Sequence, residues 1–412
     1  MQAGKNEGIV LGAGIIGLNI AFQLARRGYQ GVTVVDKAMH TGEGSSGASS
    51  AVLRHRYTFD EMVFFARDGI DAYRNWKAYT GLSDPDAEFN RCGVLWLPAD
   101  DHFAVREARR LKELGVDALA LDDAELGVRF PGMSACIHPP DLTTGELHSC
   151  SGGGRHLLET DAGFIDPTAA LTDLLKACRR DGVDVRFGSA VGAIETRSGS
   201  VSGVKLTSGE VIESSVVVNA AGPWCNHLTA ATGIHWPWEL VPTRIQVVYL
   251  PLPAELRNIP VTVDLAGGIY FRPQNQGQQL VLGSTLEADE REGVPDPDEF
   301  DRFADDDFMA SRIHALAHRL PALTQTPKPS SYCGLYTVNR IDMHPVIGPT
   351  ELAGYYVANG FSGHGFKLAP AVGALIAQML AGTTTSFDTA VPADFFAVDR
   401  LPLKLLQMNV LA

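Results

Sequence analysis

The apolar positions of this chain change period several times, and each change marks an element. Residues 8–11 form a continuous apolar run, the pattern of a strand buried on both faces of a parallel sheet. A glycine turn follows. Residues 15–27 then place Leu18, Phe22 and Leu24 at helical spacing, with Arg26 and Arg27 in the last turn and Gly28 as the stop. Residues 32–35 are apolar and β-branched and end at Asp36, so strand, helix and strand make a βαβ unit. Helices are expected over 58–80, over 166–180 behind an Asp-Pro start, and over 370–381. Strands are expected over 92–97, 183–187, 191–195, 216–219 and 354–358, with 201–206 and 211–212 forming a hairpin around Ser208 and Gly209. Residues 244–283 alternate in short runs, which predicts a largely antiparallel sheet, whereas 100–154 carry no clear period.

The chain has 412 residues, more than one ordinary domain. The layout predicts an α/β, two-domain fold. A discontinuous Rossmann-like domain takes 1–90, 151–225 and 331–412, and a second, largely antiparallel-sheet domain takes 91–150 and 226–330. An acidic, proline-containing loop over 287–301 and a Pro/Ser linker over 326–331 punctuate the second half.

Gly12, Gly14 and Gly17 spell G-x-G-x-x-G, with Ala13, Ile15 and Ile16 between them. The first glycine permits the tight turn, the second lets the backbone approach a pyrophosphate, and the third lets helix and strand pack closely. The helix start offers unbonded N–H groups and a positive dipole end. Asp36, followed by Lys37, stands at the end of the second strand, where a carboxylate can accept from ribose hydroxyls. This motif alone does not separate NAD from FAD. Three other segments favour FAD: a Gly/Ser-rich stretch with Ser45, Ser46, Gly47, Ser50, Ala51 and Val52; a buried strand running into Ala220, Ala221, Gly222 and Trp224; and a second glycine turn made of Gly360, Phe361, Ser362, Gly363, His364, Gly365, Phe366 and Lys367. A flavin nucleotide is long and needs backbone donors along its length, so glycine turns far apart in sequence must converge on it. Val191 and Gly334 complete the expected cofactor contacts.

The formal net charge of -14 disfavours a nucleic-acid partner and leaves an anionic substrate to be held by local cations. The short polar start, residues 1–8, lacks the layout of a secretory signal, and no apolar run approaches the length of a membrane span. Six scattered cysteines (Cys92, Cys136, Cys150, Cys178, Cys225 and Cys333) form no CxxC pair, which points to a reducing cytoplasm and to no metal site. An oligomer of one or several kinds of chain is compatible with the sequence.

With these segments in hand, the chain resembles the D-amino-acid oxidase-like superfamily of FAD-dependent oxidoreductases, within it the sarcosine oxidase, glycine oxidase and dimethylglycine dehydrogenase group. The stretch from Asp161 to Pro167 is similar to the family's D-x-G-x-[IV]-[DN]-P. Pro242, Thr243, Arg244, Ile245 and Gln246 are similar to its P-x-R-G-Q, with Ile245 departing, and 395–400 resemble its usual ending. The resemblance implies that Arg54 and Lys367 hold a substrate carboxylate, that His364 lies near the ring or the substrate, and that Tyr270 is an active-site tyrosine; His55 is a weaker candidate. Monomeric sarcosine oxidase attaches FAD through a cysteine in C-x-Y-T. Here Cys333, Gly334, Leu335, Tyr336 and Thr337 make the spacing one residue longer, so FAD is expected to bind without a covalent link to Cys333. Where that oxidase places an oxygen-activating lysine this chain has Val281, which favours a dehydrogenase or a slow oxidase over a fast one.

The expected chemistry is hydride transfer from a carbon beside the nitrogen of a small carboxylate-bearing amine (an N-methyl or other secondary amino acid, a D-amino acid or glycine) to flavin N5, giving an imine that hydrolyses. Oxygen or another electron acceptor then reoxidises the flavin. Three other readings share the fold. They are a 2-hydroxy-acid dehydrogenase, which needs a base such as His364; a flavoprotein subunit of a larger dehydrogenase with no activity of its own; and a tRNA-modifying enzyme, for which no basic surface is visible.

Overall fold

The computed structural model describes residues 7–97, 101–136, 138–141, 144, 154–323, 328–405 and 411; residues 1–6, Cys150 and part of the Pro/Ser linker lie outside the described residues. A six-stranded sheet carries the βαβ unit. Its order is Val346–Pro349, Tyr355–Asn359, Val217–Asn219, Gly8–Leu11, Val32–Val35 and Asp184–Arg186, parallel except for the first strand. The Gly8–Leu11 strand is buried throughout because both its faces are covered. Val10 joins a core with Leu18, Phe22, Val372 and Ile376 of the helices Ile15–Arg26 and Gly365–Ala381. Ile9 and Leu11, pointing the other way, pack with Ile194 and Val204 of a three-stranded antiparallel sheet over 191–213.

Helix Pro167–Arg180 starts as expected, with the Asp166 carboxylate accepting the Ala169 N–H at 2.7 Å and proline in the first turn. Two helices differ from the sequence reading. The span 58–80 is broken into Asp60–Arg74 and Trp76–Thr80, where the Asn75 side-chain amide bonds the Asp71 carbonyl at 2.9 Å and leaves helical geometry. The last helix begins at Gly365, five residues earlier than expected, and contains Pro370. Proline has no N–H for the Phe366 carbonyl one turn back. The buried Tyr73 hydroxyl supplies that donor at 2.7 Å.

The second sheet has eight strands in the order Ser330–Asn339, Leu240–Pro251, Gln279–Ser284, Ile269–Gln274, Val261–Asp264, Val94–Leu97, Arg155–Glu159 and Ala118–Asp122. It is antiparallel except where Val261–Asp264 runs parallel to Val94–Leu97. Strands Arg155–Glu159 and Ser330–Asn339 thus belong to this sheet, where the sequence division put them with the first domain. Side chains alternate across it. On one face Leu250, Phe271, Leu282 and Cys333 pack under helix Asp306–Arg319. On the other, Trp96, Val261, Val263 and Leu157 join the core of the first domain. No helix among the described residues is long and apolar enough to cross a membrane.

Candidate active site

Loops at the carboxyl ends of the parallel strands enclose a cavity of about 750 Å³, the size range of cofactor sites. Gly12, Ala13, Gly14, Ile15 and Ile16 form its floor, with Asp36 and Lys37 at one end. Ser45 and Ser46 come from the Gly/Ser stretch; Val191, Ala220, Ala221, Gly222 and Trp224 form another wall; Phe361, Gly363, Gly365 and Phe366 return from the far end of the chain. The floor admits only glycine at two points. Gly12 has φ +103°, and a Cβ there would lie 2.7 Å from the Ala220 carbonyl oxygen. A Cβ on Gly17 would lie 1.9 Å from the Gly12 oxygen, so this third glycine packs behind the floor. The Ile15 N–H at the helix start donates to Ser46 Oγ at 2.9 Å, which draws the Gly/Ser stretch over the dipole end. Asp36 accepts the Ala13 and Ala38 N–H groups at 2.6 and 2.8 Å and still lines the cavity.

Other expected cofactor contacts stand behind this wall. Gly47 folds tightly on Gly42, and Gly334 lies against Ala48, whose Cβ would be 2.8 Å from an added one. Ala51 and Ser362 hold positive φ of 45° each, and Val52 pairs with Phe164. The Ser362 hydroxyl accepts the Asn339 N–H at 3.0 Å, while Gly360 packs on Leu240. Ser50 turns away from the cavity, its hydroxyl 2.8 Å from that of Tyr270. Cys333 sits on the opposite face of its strand from Gly334, in the core under helix Asp306–Arg319, and burial pushes its thiol up to about 11. A thiol facing that core is not presented to the cavity.

The expected catalytic residues gather beside the cavity. The Arg54 guanidinium lies 4.4 Å from the centre of the Tyr57 ring. Lys367 Nζ lies 5.9 Å from the same ring, and the His364 ring meets it edge-on at 5.1 Å. Arg54, Tyr57, His364 and Lys367 are all buried. Burial, and then the Arg54 charge, hold the Lys367 ammonium well below its ordinary value; Glu159 opposes them. Tyr336 links the group to the cavity: it lines the wall, burial pushes its hydroxyl well up, and it faces the Arg54 charge. Tyr270 lies across Gly283, where a Cβ would come within 2.3 Å of its ring, and its hydroxyl is raised by burial. Arg272, two residues on along the same strand face, donates to the Ser50 carbonyl at 2.6 Å.

Sequence reasoning missed Tyr57, Trp96, Glu159 and Tyr336. Glu159 is wholly buried. It accepts the His55 N–H at 2.6 Å, faces His55 Nδ1 at 3.2 Å, and accepts the Trp96 indole N–H at 2.8 Å. Burial would raise its carboxyl, yet the His55 and Trp96 donors hold it below the ordinary range. The Trp96 ring in turn lies under Arg54 and Arg56, at 5.4 and 5.2 Å. The available signal was an acid ending the strand behind the apolar pair Leu157 and Leu158, on the same face as Leu157. His55 therefore serves Glu159.

Three comparisons bear on this geometry. The family model described as "FAD dependent oxidoreductase" (DAO) matches residues 8–379. FAD-dependent oxidoreductase domain-containing protein 1 of Bos taurus is 27% identical, over 91% of this chain and 81% of its own. Peroxisomal sarcosine oxidase of Homo sapiens is 28% identical, over 96% of each. The crystal structure of L-proline dehydrogenase from P. horikoshii superposes with a TM-score of 0.80 at 25% identity, covering 96% of this chain and 97% of that one.

Proposed function

The chain belongs to the FAD-dependent oxidoreductase (DAO) family, and from that premise we propose that it oxidises the carbon–nitrogen bond of a small amino-acid-like amine whose carboxylate is held by Arg54 and Lys367. The observation that carries this reading is the convergence of those two cations on the ring of Tyr57, at 4.4 and 5.9 Å, beside the cofactor cavity. Sarcosine and L-proline, named in two of the relatives, are both secondary amines bearing a carboxylate.

When bound, FAD supplies the two-electron acceptor. The chain does the rest. Arg54 grips the carboxylate with a planar, permanently charged fork. Lys367 Nζ, whose charge is disfavoured by burial and by Arg54, gains a partner that favours the charged form when the substrate anion arrives. Tyr57 walls the pair from water, which strengthens both contacts. The N–H groups opening helix Gly365–Ala381 turn a positive dipole end toward the cavity, where negative charge is favoured. Tyr270, fixed by Ser50, and His364, fixed against Tyr57, shape the reacting side. The immediate product, an imine, hydrolyses in water. Without an added cation at Val281, an electron acceptor other than oxygen is the favoured oxidant.

The test is anaerobic bleaching of the bound flavin by secondary amino acids, D-amino acids and glycine, with 2-hydroxy acids in parallel. Bleaching by amines supports the reading. Bleaching by hydroxy acids alone transfers the site to alcohol oxidation with His364 as base. No bleaching by either points to an electron-transfer subunit.

A further inference from the structure

Residues 291–305 leave the second domain, cross to the first and return. Both feet of this strap are fixed on the eight-stranded sheet. At one, the Arg244 N–H donates to the Glu292 carbonyl at 2.9 Å and the Val294 N–H to the Pro242 carbonyl at 2.7 Å. At the other, the Cys333 N–H donates to the Arg302 carbonyl at 2.8 Å and the Asp305 N–H to Gln246 Oε1 at 2.7 Å. The buried Arg244 guanidinium joins the feet, reaching Glu292 at 2.8 Å, Asp305 at 3.0 Å and the Asp301 carbonyl at 3.1 Å.

The apex is held differently. The Asp298 carboxylate accepts from Lys37 Nζ and, at 3.1 Å, from the Trp224 indole N–H. Lys37 Nζ also lies 4.3 Å from the centre of the Trp224 ring. Asp298, Lys37 and Trp224 all line the cofactor cavity, at the end marked by Asp36. Here the side chains are open to solvent, 57% for Asp298 and 38% for Lys37. An exposed ion pair is weak, whereas the feet are tied by main-chain hydrogen bonds to the sheet and by a guanidinium that is itself buried, though its Glu292 and Asp305 partners are open to solvent, so the strap is hinged at its feet and fastened lightly at its tip.

The geometry points to a clasp: Asp298, reaching from the second domain to Lys37 and Trp224 of the first, closes the nucleotide end of the FAD site, and its opening is the step through which the cofactor leaves. This inference rests on the family's cofactor and is independent of which substrate is oxidised.

The experiment follows FAD release from the holoprotein by the rise of flavin fluorescence after dilution. Asp298→Ala is expected to speed release about three- to ten-fold, the loss of one exposed ion pair and one hydrogen bond. Lys37→Ala, which leaves the Trp224 bond to Asp298, should speed release no more than Asp298→Ala, and the double variant should release no faster than Asp298→Ala, because both break the same ion pair. Raising the salt concentration should speed release from the wild type and leave Asp298→Ala unchanged. Release from Asp298→Ala at the wild-type rate would overturn the clasp. So would additive effects of the two substitutions, which would mean that Lys37 acts on the nucleotide directly.

Discussion

The Glu159 carboxylate and the His55 backbone N–H meet at 2.6 Å in the interior, and through that bond the eight-stranded sheet holds the segment that carries Arg54 and Tyr57. The other Glu159 oxygen holds Trp96, under Arg54. Glu159→Ala leaves buried donors with no acceptor, and should cost about 3 kcal/mol of stability. Glu159→Gln keeps the shape and loses the charge, so it should cost less. The folded carboxyl titrates below its unfolded value, so its contribution is present above the ordinary glutamate range and is lost as pH falls through the lower folded value. Urea unfolding at neutral and acid pH checks this: the gap between wild type and Glu159→Gln should narrow on acidification.

Lys367 gives a prediction at the opposite end of the pH scale. A substrate carboxylate binds the charged ammonium, so affinity is full below the lysine's folded value and falls as pH rises through it. Burial and Arg54 place that value well below the ordinary one, so the alkaline limb should appear well below the pH at which an ordinary lysine titrates. Lys367→Arg should remove the limb, because arginine stays charged. Lys367→Met should weaken binding of a non-oxidisable carboxylate about 100-fold, the scale of a lost buried charge contact, with FAD still bound. Perturbation of the flavin spectrum by that carboxylate, titrated across pH, reads all three.

The cofactor half of this site was legible in the sequence because its causes are local. Gly12, Gly14 and Gly17 are required by backbone geometry within one turn, and Asp36 follows from the strand they open. Lys367 and Arg54 were named only through the resemblance, since nothing in their neighbours reveals that both approach the ring of Tyr57. Glu159 and Trp96 were not legible. Their meaning depends on the pairing of Val94–Leu97 with Arg155–Glu159, a contact between strands about sixty residues apart. Two strands that the division at residues 151 and 331 put with the first domain pair into the eight-stranded sheet for the same reason: which sheet a strand joins is set by its distant partners. The start of the last helix was misplaced because Pro370 reads as a helix opening until Tyr73 is seen to take over its missing bond.

That Tyr73 bond can be tested by a pair of substitutions. Tyr73→Phe keeps the ring that stacks on Trp76 and Phe366 and removes only the hydroxyl. It leaves the Phe366 carbonyl buried without its donor, at a cost of about 1–3 kcal/mol. Pro370→Ala restores a backbone N–H one turn ahead, able to bond the same carbonyl. Added to Tyr73→Phe, it should recover part of the loss. In chemical unfolding the double variant should therefore be more stable than Tyr73→Phe alone. A double variant as unstable as the sum of the two singles would mean that the hydroxyl matters for another reason.

Val281 gives a prediction for how the reduced protein meets oxygen. It faces Arg272 and Tyr249 across its two neighbouring strands, on the side of the sheet whose Tyr270 and Arg272 reach Ser50. It is buried, and brings no charge to that face. Arg272 spends its guanidinium on the Ser50 and Pro273 carbonyls, at 2.6 and 2.9 Å. Negative charge building on oxygen therefore meets the field of Arg272 but not its committed donors, and reoxidation by an artificial acceptor should outpace reoxidation by oxygen. Val281→Lys should speed the oxygen reaction roughly ten-fold, about 1.4 kcal/mol of barrier, if the new ammonium is charged. Burial beside Arg272 disfavours that charge, so the gain should be largest at low pH and fade as pH rises through the depressed lysine value. Val281→Met, similar in length and uncharged, should leave the oxygen rate unchanged. Stopped-flow reoxidation at several pH values separates the outcomes; an equal gain from Met and Lys would assign the effect to access rather than charge.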